Sequence, residues 1–248
     1  MATPEIFPAY TKVWHSEPYP AISPTKPELS ARGKVVIITG GGTGIGAGAA
    51  KAFAQAGAAG IGIIGRRENF LISSVADISA VSSSTKVEYA VADLTNKRAT
   101  EAAFKKLANS LGKIDIFISN AGWLSKVAPL TDSEDDDWWA SFDINVKGSF
   151  NAIRAFLPYA APNATLLSIN TAIATLPPMP GFSAYAASKI ASAKMHEYLQ
   201  AEHPELRVVN VQPGVVKSDM NIKSGFPAMD DRKSTYHNRL EAPLTLYS

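Results

Sequence analysis

The sequence predicts an α/β fold, a doubly wound parallel sheet of the three-layer αβα (Rossmann) type, on three observations. Short apolar runs rich in β-branched residues recur along the chain, at Val35 to Thr39, Gly60 to Ile64, Val87 to Ala92, Ile114 to Ser119, Thr165 to Ile169 and Val208 to Val211. Helical patterns fill every gap between them, the alternation that builds a parallel sheet from βαβ units. A glycine cluster follows the first run without a break and leads into a helix.

The first unit is the most specific. Lys34 to Thr39 reads as a buried parallel strand, and Ala47 to Gln55 reads as a helix. Between them, Thr39-Gly40-Gly41-Gly42-Thr43-Gly44-Ile45-Gly46 has the order a dinucleotide site requires. Gly40 is expected at the tight turn, Gly44 where the backbone meets a pyrophosphate, and Gly46 where the helix packs closely. Free N–H groups and the positive dipole end of the helix would face the phosphates.

A second signal lies downstream in Tyr185-Ala186-Ala187-Ser188-Lys189. The segment from Ser183 to Tyr198 has helical apolar spacing, so Tyr185 and Lys189, four apart, share one face. An ammonium beside a phenol favours phenolate, so a lowered Tyr185 pKa is expected, suited to a general acid or base. Joined to the phosphate loop, the pair points to hydride chemistry on a nicotinamide.

With these motifs the chain resembles the short-chain dehydrogenase/reductase family over about Lys34 to Met220. Ser119-Asn120-Ala121-Gly122 is similar to the family's Asn-Asn-Ala-Gly motif, with Ser119 in place of the first Asn; Asp93-Leu94 resembles its adenine-contacting segment. Asn145 sits where the family's catalytic-helix Asn lies, and Pro213-Gly214-Val215-Val216-Lys217-Ser218 resembles its Pro-Gly motif beside the nicotinamide. The usual serine is replaced: Thr171, fourteen residues before Tyr185, takes its place, with Ser168 in reserve. A threonine hydroxyl has the same donor and acceptor capacity, though its methyl group restricts the rotamer.

The resemblance implies a mechanism. A hydride passes between the nicotinamide and a carbonyl carbon, Tyr185 exchanges the proton, Thr171 holds the substrate oxygen, Lys189 holds the nicotinamide ribose, and Asn145 holds a relay water. Cofactor choice turns on Ile63-Ile64-Gly65-Arg66-Arg67-Glu68. An acid ending the second strand would bind ribose hydroxyls, whereas arginine accommodates a 2′-phosphate. Gly65 followed by Arg66 therefore predicts NADP(H), with NAD(H) as the alternative.

The substrate is expected to be a small-molecule carbonyl or alcohol. Trp123, Leu124, Val127, Trp138, Trp139, Ile173, Leu176, Pro177, Pro178, Met179 and Phe182 are candidate apolar walls. Epimerase or dehydratase chemistry on a nucleotide sugar uses related residues but needs a larger C-terminal lobe.

Composition fits this class. The 248 residues, 46% hydrophobic and 19% charged, suffice for one α/β domain. A net charge of +2, with bases scattered among acids, gives no footprint for nucleic acid. No cysteine is present, which removes disulfides, thiolate metal sites and cysteine nucleophiles, and no metal is expected. The N-terminal residues lack a basic start before an apolar run, and no segment reads as a membrane span, so a cytoplasmic protein is the default expectation.

Three regions follow: an N-terminal arm over 1–33, a dinucleotide-binding and catalytic body over 34–229, and an irregular tail over 230–248. Pro4, Pro8, Pro18, Pro20, Pro24 and Pro27 predict an extended arm without helix. In the tail, Asp230 to Arg239 shows neither helical nor strand period, where the family places a further helix and strand. The C-terminus therefore reads as truncated or altered; because the family's elements there commonly join subunits, the interface of an expected homo-oligomer is in doubt, and a catalytically impaired nucleotide-binding relative is the alternative function.

Overall fold

The computed structural model describes residues 19–225. Six strands form one sheet: β1 (Val35–Thr39), β2 (Gly60–Gly65), β3 (Lys86–Val91), β4 (Ile114–Ser119), β5 (Ala160–Ile169) and β6 (Arg207–Val211). Their spatial order is β3-β2-β1-β4-β5-β6 and every pairing is parallel. The chain winds outward from β1 to β3, then returns to place β4 on the other side of β1. At that reversal the loops leaving β1 and β4 diverge, which opens a crevice at the carboxyl ends of the strands.

Among the described residues seven α-helices accompany the sheet: α1 (Gly44–Gln55), α2 (Glu68–Val81), α3 (Lys97–Leu111), α4 (Asp135–Phe142), α5 (Ser149–Phe156), α6 (Ser183–Glu202) and α7 (Asp219–Ser224). Because strand side chains alternate faces, β1 feeds two cores. Ile37 packs with Phe104, Leu107, Phe117 and Phe156 on one side. Val36 and Ile38 pack with Ala50, Ile61, Leu71 and Ile78 on the other. Phe117 sits between Phe104 and Phe156, with centroids 5.3 and 5.2 Å away.

Local chemistry sets the helix ends. Asn96 caps α3 by accepting from the Ala99 N–H at 3.1 Å, and the buried stripe of α3 runs Thr100, Ala103, Phe104, Leu107 and Ala108. Between α4 and α5 the rod does not break but loosens into a π-helical segment, Asp143–Gly148. Such widened turns present backbone and side chains at angles a regular helix cannot, and here the inserted turn carries Asn145.

Several expected boundaries shift. The first helix starts at Gly44 rather than Ala47, so Gly44 and Gly46 belong to its first turn. The helix carrying Tyr185 continues to Glu202. β5 begins at Ala160, with its register against β4 slipping between Ile114 and Ile116 and Asn163 in the left-handed region at φ 57°. That bulge hides the strand start from a period-two reading.

The expected helix-free arm is corrected where it can be seen. Pro20–Ile22 and Pro27–Leu29 are single 3₁₀ turns, each opened by a proline whose fixed φ suits a first helical position. Ala31 is buried and its N–H donates to the Ala56 carbonyl at 2.8 Å, so the arm is tied to the body before residue 34. Residues 1–18 of the arm and the expected irregular tail, 230–248, lie outside the described residues. Among the described residues no helix is long and apolar enough to cross a membrane, and no cluster of His, Asp and Glu is placed to hold a metal ion.

Candidate active site

A cleft of about 630 Å³ occupies the crevice where the winding reverses. Its floor is the glycine loop. Gly40 turns the chain at φ 68° and Gly44 adopts φ 55°, a conformation that excludes ordinary side chains. A Cβ on Gly46 would stand 2.4 Å from the Gly40 carbonyl oxygen and 2.7 Å from the Asn120 amide nitrogen, so Gly46 serves the loop's own closure and does not line the cleft. Thr43 occupies the N-cap of α1, but its side chain caps no N–H. The first-turn donors of α1 therefore receive no side-chain cap at the place where a pyrophosphate would be expected.

Thr39 and Asn120 lock the two sides of the reversal together. The Thr39 hydroxyl accepts from the Asn120 and Ala121 N–H groups at 3.0 and 3.1 Å. The Asn120 amide donates back to the Thr39 carbonyl at 2.9 Å. Thr39 was not a candidate from the motif alone; its place at the last position of β1, facing the end of β4, is what gives it this role.

At the outer end of the cleft the charges are exposed. Arg66 lies 3.9 Å from Asp93, both about half exposed. Burial pushes the Asp93 carboxyl up, but the Thr95 N–H and hydroxyl, at 2.9 and 2.8 Å, together with Arg66 outweigh it and hold it below its ordinary value. Arg67 spreads over the Phe70 ring at 4.1 Å and reaches Asp219 of α7 at 4.0 Å. Thus two guanidinium groups and a helix N-terminus surround the same end of the cleft.

The inner end is buried. Tyr185 and Lys189 both face the cleft from α6, with the Lys189 ammonium 5.8 Å from the Tyr185 ring centroid and donating to the Ile169 carbonyl at 2.9 Å. The expected lowering of the Tyr185 pKa is not what the structure gives. Burial pushes the phenol up to about 12 and Lys189 down to about 8. Desolvation acts on both groups at once, and the ammonium spends a proton on a main-chain carbonyl rather than on the phenol. The Tyr185 hydroxyl has the thioether of Met220 beside it, at 3.8 Å.

Thr171 also lines this end, as the N-cap of a 3₁₀ turn, and its oxygen accepts weakly from the Ile173 N–H at 3.3 Å. An accepting hydroxyl keeps its own proton to donate. Ser168 is buried within β5 and does not line the cleft. Asn170 was missed by the sequence reading. Its amide donates to the Lys189 and Asn210 side of the site at 3.3 and 3.4 Å, and its oxygen accepts from the Thr171 N–H at 2.9 Å.

Asn145 does not line the cleft. Its amide oxygen accepts from the Trp123 N–H at 2.7 Å, and its nitrogen donates to the Trp123 carbonyl and the Ser188 hydroxyl, each at 2.9 Å. Both amide protons are engaged within the protein, so the side chain acts as a clamp on the 120s loop.

The other predicted residues, Gly40, Thr43, Gly44, Ile45, Leu94, Asn120, Ala121, Gly122, Pro213, Gly214, Val216 and Ser218, line the cleft together with Arg66 and Asp93. Of the predicted apolar walls, Trp123, Leu124, Ile173 and Phe182 do so. Val127, Trp138, Trp139, Leu176, Pro177, Pro178 and Met179 do not: Trp138 and Trp139 stack with Phe142 on α4, and Trp138 donates to the Ser183 hydroxyl. Hydrophobicity alone could not separate walls from helix packing.

The sheet order and the uncapped helix at the reversal define a nucleotide-binding fold of Rossmann type. The profile of the family described as short chain dehydrogenase matches residues 34–226. A short chain dehydrogenase of Pseudocercospora fijiensis is 35% identical over 229 residues, covering 90% of this chain and 71% of that protein. A solved short chain dehydrogenase from Burkholderia cenocepacia in complex with NADP is 30% identical, with a TM-score of 0.72 over 77% of this chain and 78% of that one. The oxidoreductase yciK from E. coli is 25% identical, with a TM-score of 0.77 over 84% of this chain and 86% of that one. The chain belongs to the short chain dehydrogenase family, and it is an NAD(P)-dependent oxidoreductase.

Proposed function

We propose that the protein interconverts a carbonyl and a secondary alcohol with NADP(H) as the preferred cofactor. The observation that carries this reading is that one cleft joins the Tyr185, Lys189 and Thr171 side chains to the glycine loop and Arg66. The cleft fits a dinucleotide: the first turn of α1 is uncapped by any side chain, Gly44 keeps the loop surface bare, and Arg66 and Arg67 stand at the end where a 2′-phosphate would lie. When bound, the nicotinamide supplies or takes the hydride.

The protein's own residues do the rest. Tyr185, with its pKa raised to about 12, keeps its proton at neutral pH and is poised as the acid of carbonyl reduction. Thr171 donates to the same substrate oxygen. Lys189, bound to the Ile169 carbonyl, places a cation beneath the developing alkoxide and the ribose. Asn170 and Asn145 position these groups, the first by bonding the backbone at Thr171 and Lys189, the second by bonding Trp123 and Ser188. The NADP complex of the Burkholderia relative supports the cofactor preference.

Titration of the purified protein with NADPH and NADH, followed by a panel of aldehydes and ketones, tests the reading. Tighter binding of NADPH and alcohol formation with loss of absorbance from the reduced cofactor are expected. Preferential NADH binding, or NADPH binding without reduction of any carbonyl in the panel, would overturn the corresponding half.

A further inference from the structure

We infer that Lys223 is a specificity-determining residue that selects carbonyl substrates bearing a carboxylate. The inference rests on the reading of Tyr185 as the proton donor and extends it to the substrate class. Lys223 lines the inner cleft, and its ammonium stands 3.9 Å above the Trp123 ring while donating to the Leu124 carbonyl. The other cations of the cleft are placed differently: Arg66 faces Asp93 and Arg67 faces Asp219 at the outer end, and Lys189, which like Lys223 donates to a main-chain carbonyl, is buried beside Tyr185 whereas Lys223 is exposed. Among the described residues no carboxylate lies within ion-pair distance of Lys223.

Geometry places this charge in register with the reaction. Met220, three residues earlier on α7, puts its thioether 3.8 Å from the Tyr185 hydroxyl, and residues three apart on a helix share a face with Cβ atoms roughly 5–6 Å apart. A substrate whose carbonyl displaces the Met220 thioether at Tyr185 would therefore extend past one helical turn to the Lys223 ammonium. Trp123 and Leu124, which touch Lys223, supply apolar surface beside it, and Ile173 and Phe182 line the same cleft. Trp123 is a fixed platform: its indole N–H donates to Asp137 at 3.1 Å, and Asn145 grips its backbone.

Of the nearby carboxylates, Asp137 is held within the protein, whereas Asp219, one turn before Lys223 on α7, is largely exposed and only loosely paired. Asp137 does not line the cleft; its second oxygen accepts from the Lys126 N–H at 2.6 Å. Asp219 is drawn toward Arg67 on the outer side. The inner cleft thus combines an apolar, aromatic wall with two cations, Lys189 buried beside Tyr185 and Lys223 exposed over the Trp123 ring, each bonded only to a neutral carbonyl. An oxo acid with an aromatic or alkyl body complements that combination, because a carboxylate adds a charge-assisted hydrogen bond to a site already holding its donor.

The test uses para-acetylbenzoate and its methyl ester, with turnover and with quenching of tryptophan fluorescence in the presence of NADP⁺. The wild-type protein should bind and reduce the acid in preference to the ester by roughly two- to fivefold, the size of an exposed charge pair. That preference should shrink with added salt. Lys223→Gln should abolish the acid-to-ester ratio in both readouts, and Lys223→Arg should restore it. An equal response to acid and ester in the wild-type protein, or an unchanged ratio in Lys223→Gln, overturns the inference. A carboxylate-dependent fluorescence change without any turnover would instead sustain the role of Lys223 and count against the carbonyl-reductase reading.

Discussion

The two ends of the cleft handle charge in opposite ways. At the outer end, Arg66, Arg67, Asp93 and Asp219 are about half exposed or more, and their ion pairs are long, at 3.9 and 4.0 Å. Charges there remain hydrated and can turn toward a ligand at little cost. At the inner end Lys189 is buried and Tyr185 partly so, and loss of water moves both toward their neutral forms. The outer end is built to bind a permanent anion, the inner end to hold a proton that must be given up. The contrast follows from placement: the turn after β2 carries Arg66 and Arg67 at the exposed carboxyl end of the sheet, whereas α6 places Lys189 against the end of β5, at the Ile169 carbonyl.

The floor shared by both ends offers the most severe way to break this arrangement. Gly46→Val should destabilise the fold by about 3 kcal/mol or more and remove nucleotide binding, because its new Cβ meets the backbone oxygen of Gly40 at 2.4 Å, an atom that cannot rotate away. Urea denaturation with a nucleotide titration checks both parts. Near-normal stability with binding retained would show that the loop can relax.

Next in size is a test of burial along α6. His196 lies seven residues past Lys189, fully buried, with Nδ1 2.7 Å from the Ser192 carbonyl and Nε2 without a partner among the described residues. Burial lowers its pKa from 6.5 to about 4, the Ser192 carbonyl raises it in part, and the Lys189 charge lowers it further. Between these values the unfolded chain binds the proton and the folded chain does not, so folding stability falls as pH drops from 6.5 toward 4. The loss from this group is on the order of 3 kcal/mol, and His196→Gln should flatten that part of the profile in denaturation measured across pH.

At the outer end the effects are smaller and selective. Arg66→Ala should weaken NADPH relative to NADH by roughly 1.5–3 kcal/mol, read by calorimetry with both cofactors. Equal weakening would remove Arg66 as the reader of the 2′-phosphate. Arg67→Ala, which breaks a long exposed pair with Asp219, should change folding stability by under about 1 kcal/mol in the same denaturation assay.

These differences also explain what the sequence disclosed. The strands, the sheet winding and the glycine loop were legible because period, β-branching and the strand-glycine-helix order are local signals. The convergence of Arg66, Asp93, Asn120, Tyr185 and Lys189 on one cleft followed from a parallel sheet that reverses at β1 and β4. The bulged start of β5 and the π segment around Asn145 were not legible, since each is one extra residue or one widened turn inside an otherwise regular pattern. Burial was the other blind spot. Spacing placed Tyr185 and Lys189 on one face, but only the packed structure shows that desolvation, rather than their mutual attraction, sets the phenol's direction.

Tyr185→Phe addresses the central claim most directly, because it removes one oxygen from the inner end and touches nothing at the outer end. The measurement is the binding constant for NADPH beside the turnover of a carbonyl that the wild-type protein reduces. The account predicts a binding constant within about threefold of wild type and turnover lowered by roughly 10²–10⁴-fold, the usual worth of a positioned acid. Wild-type turnover in the variant would contradict it.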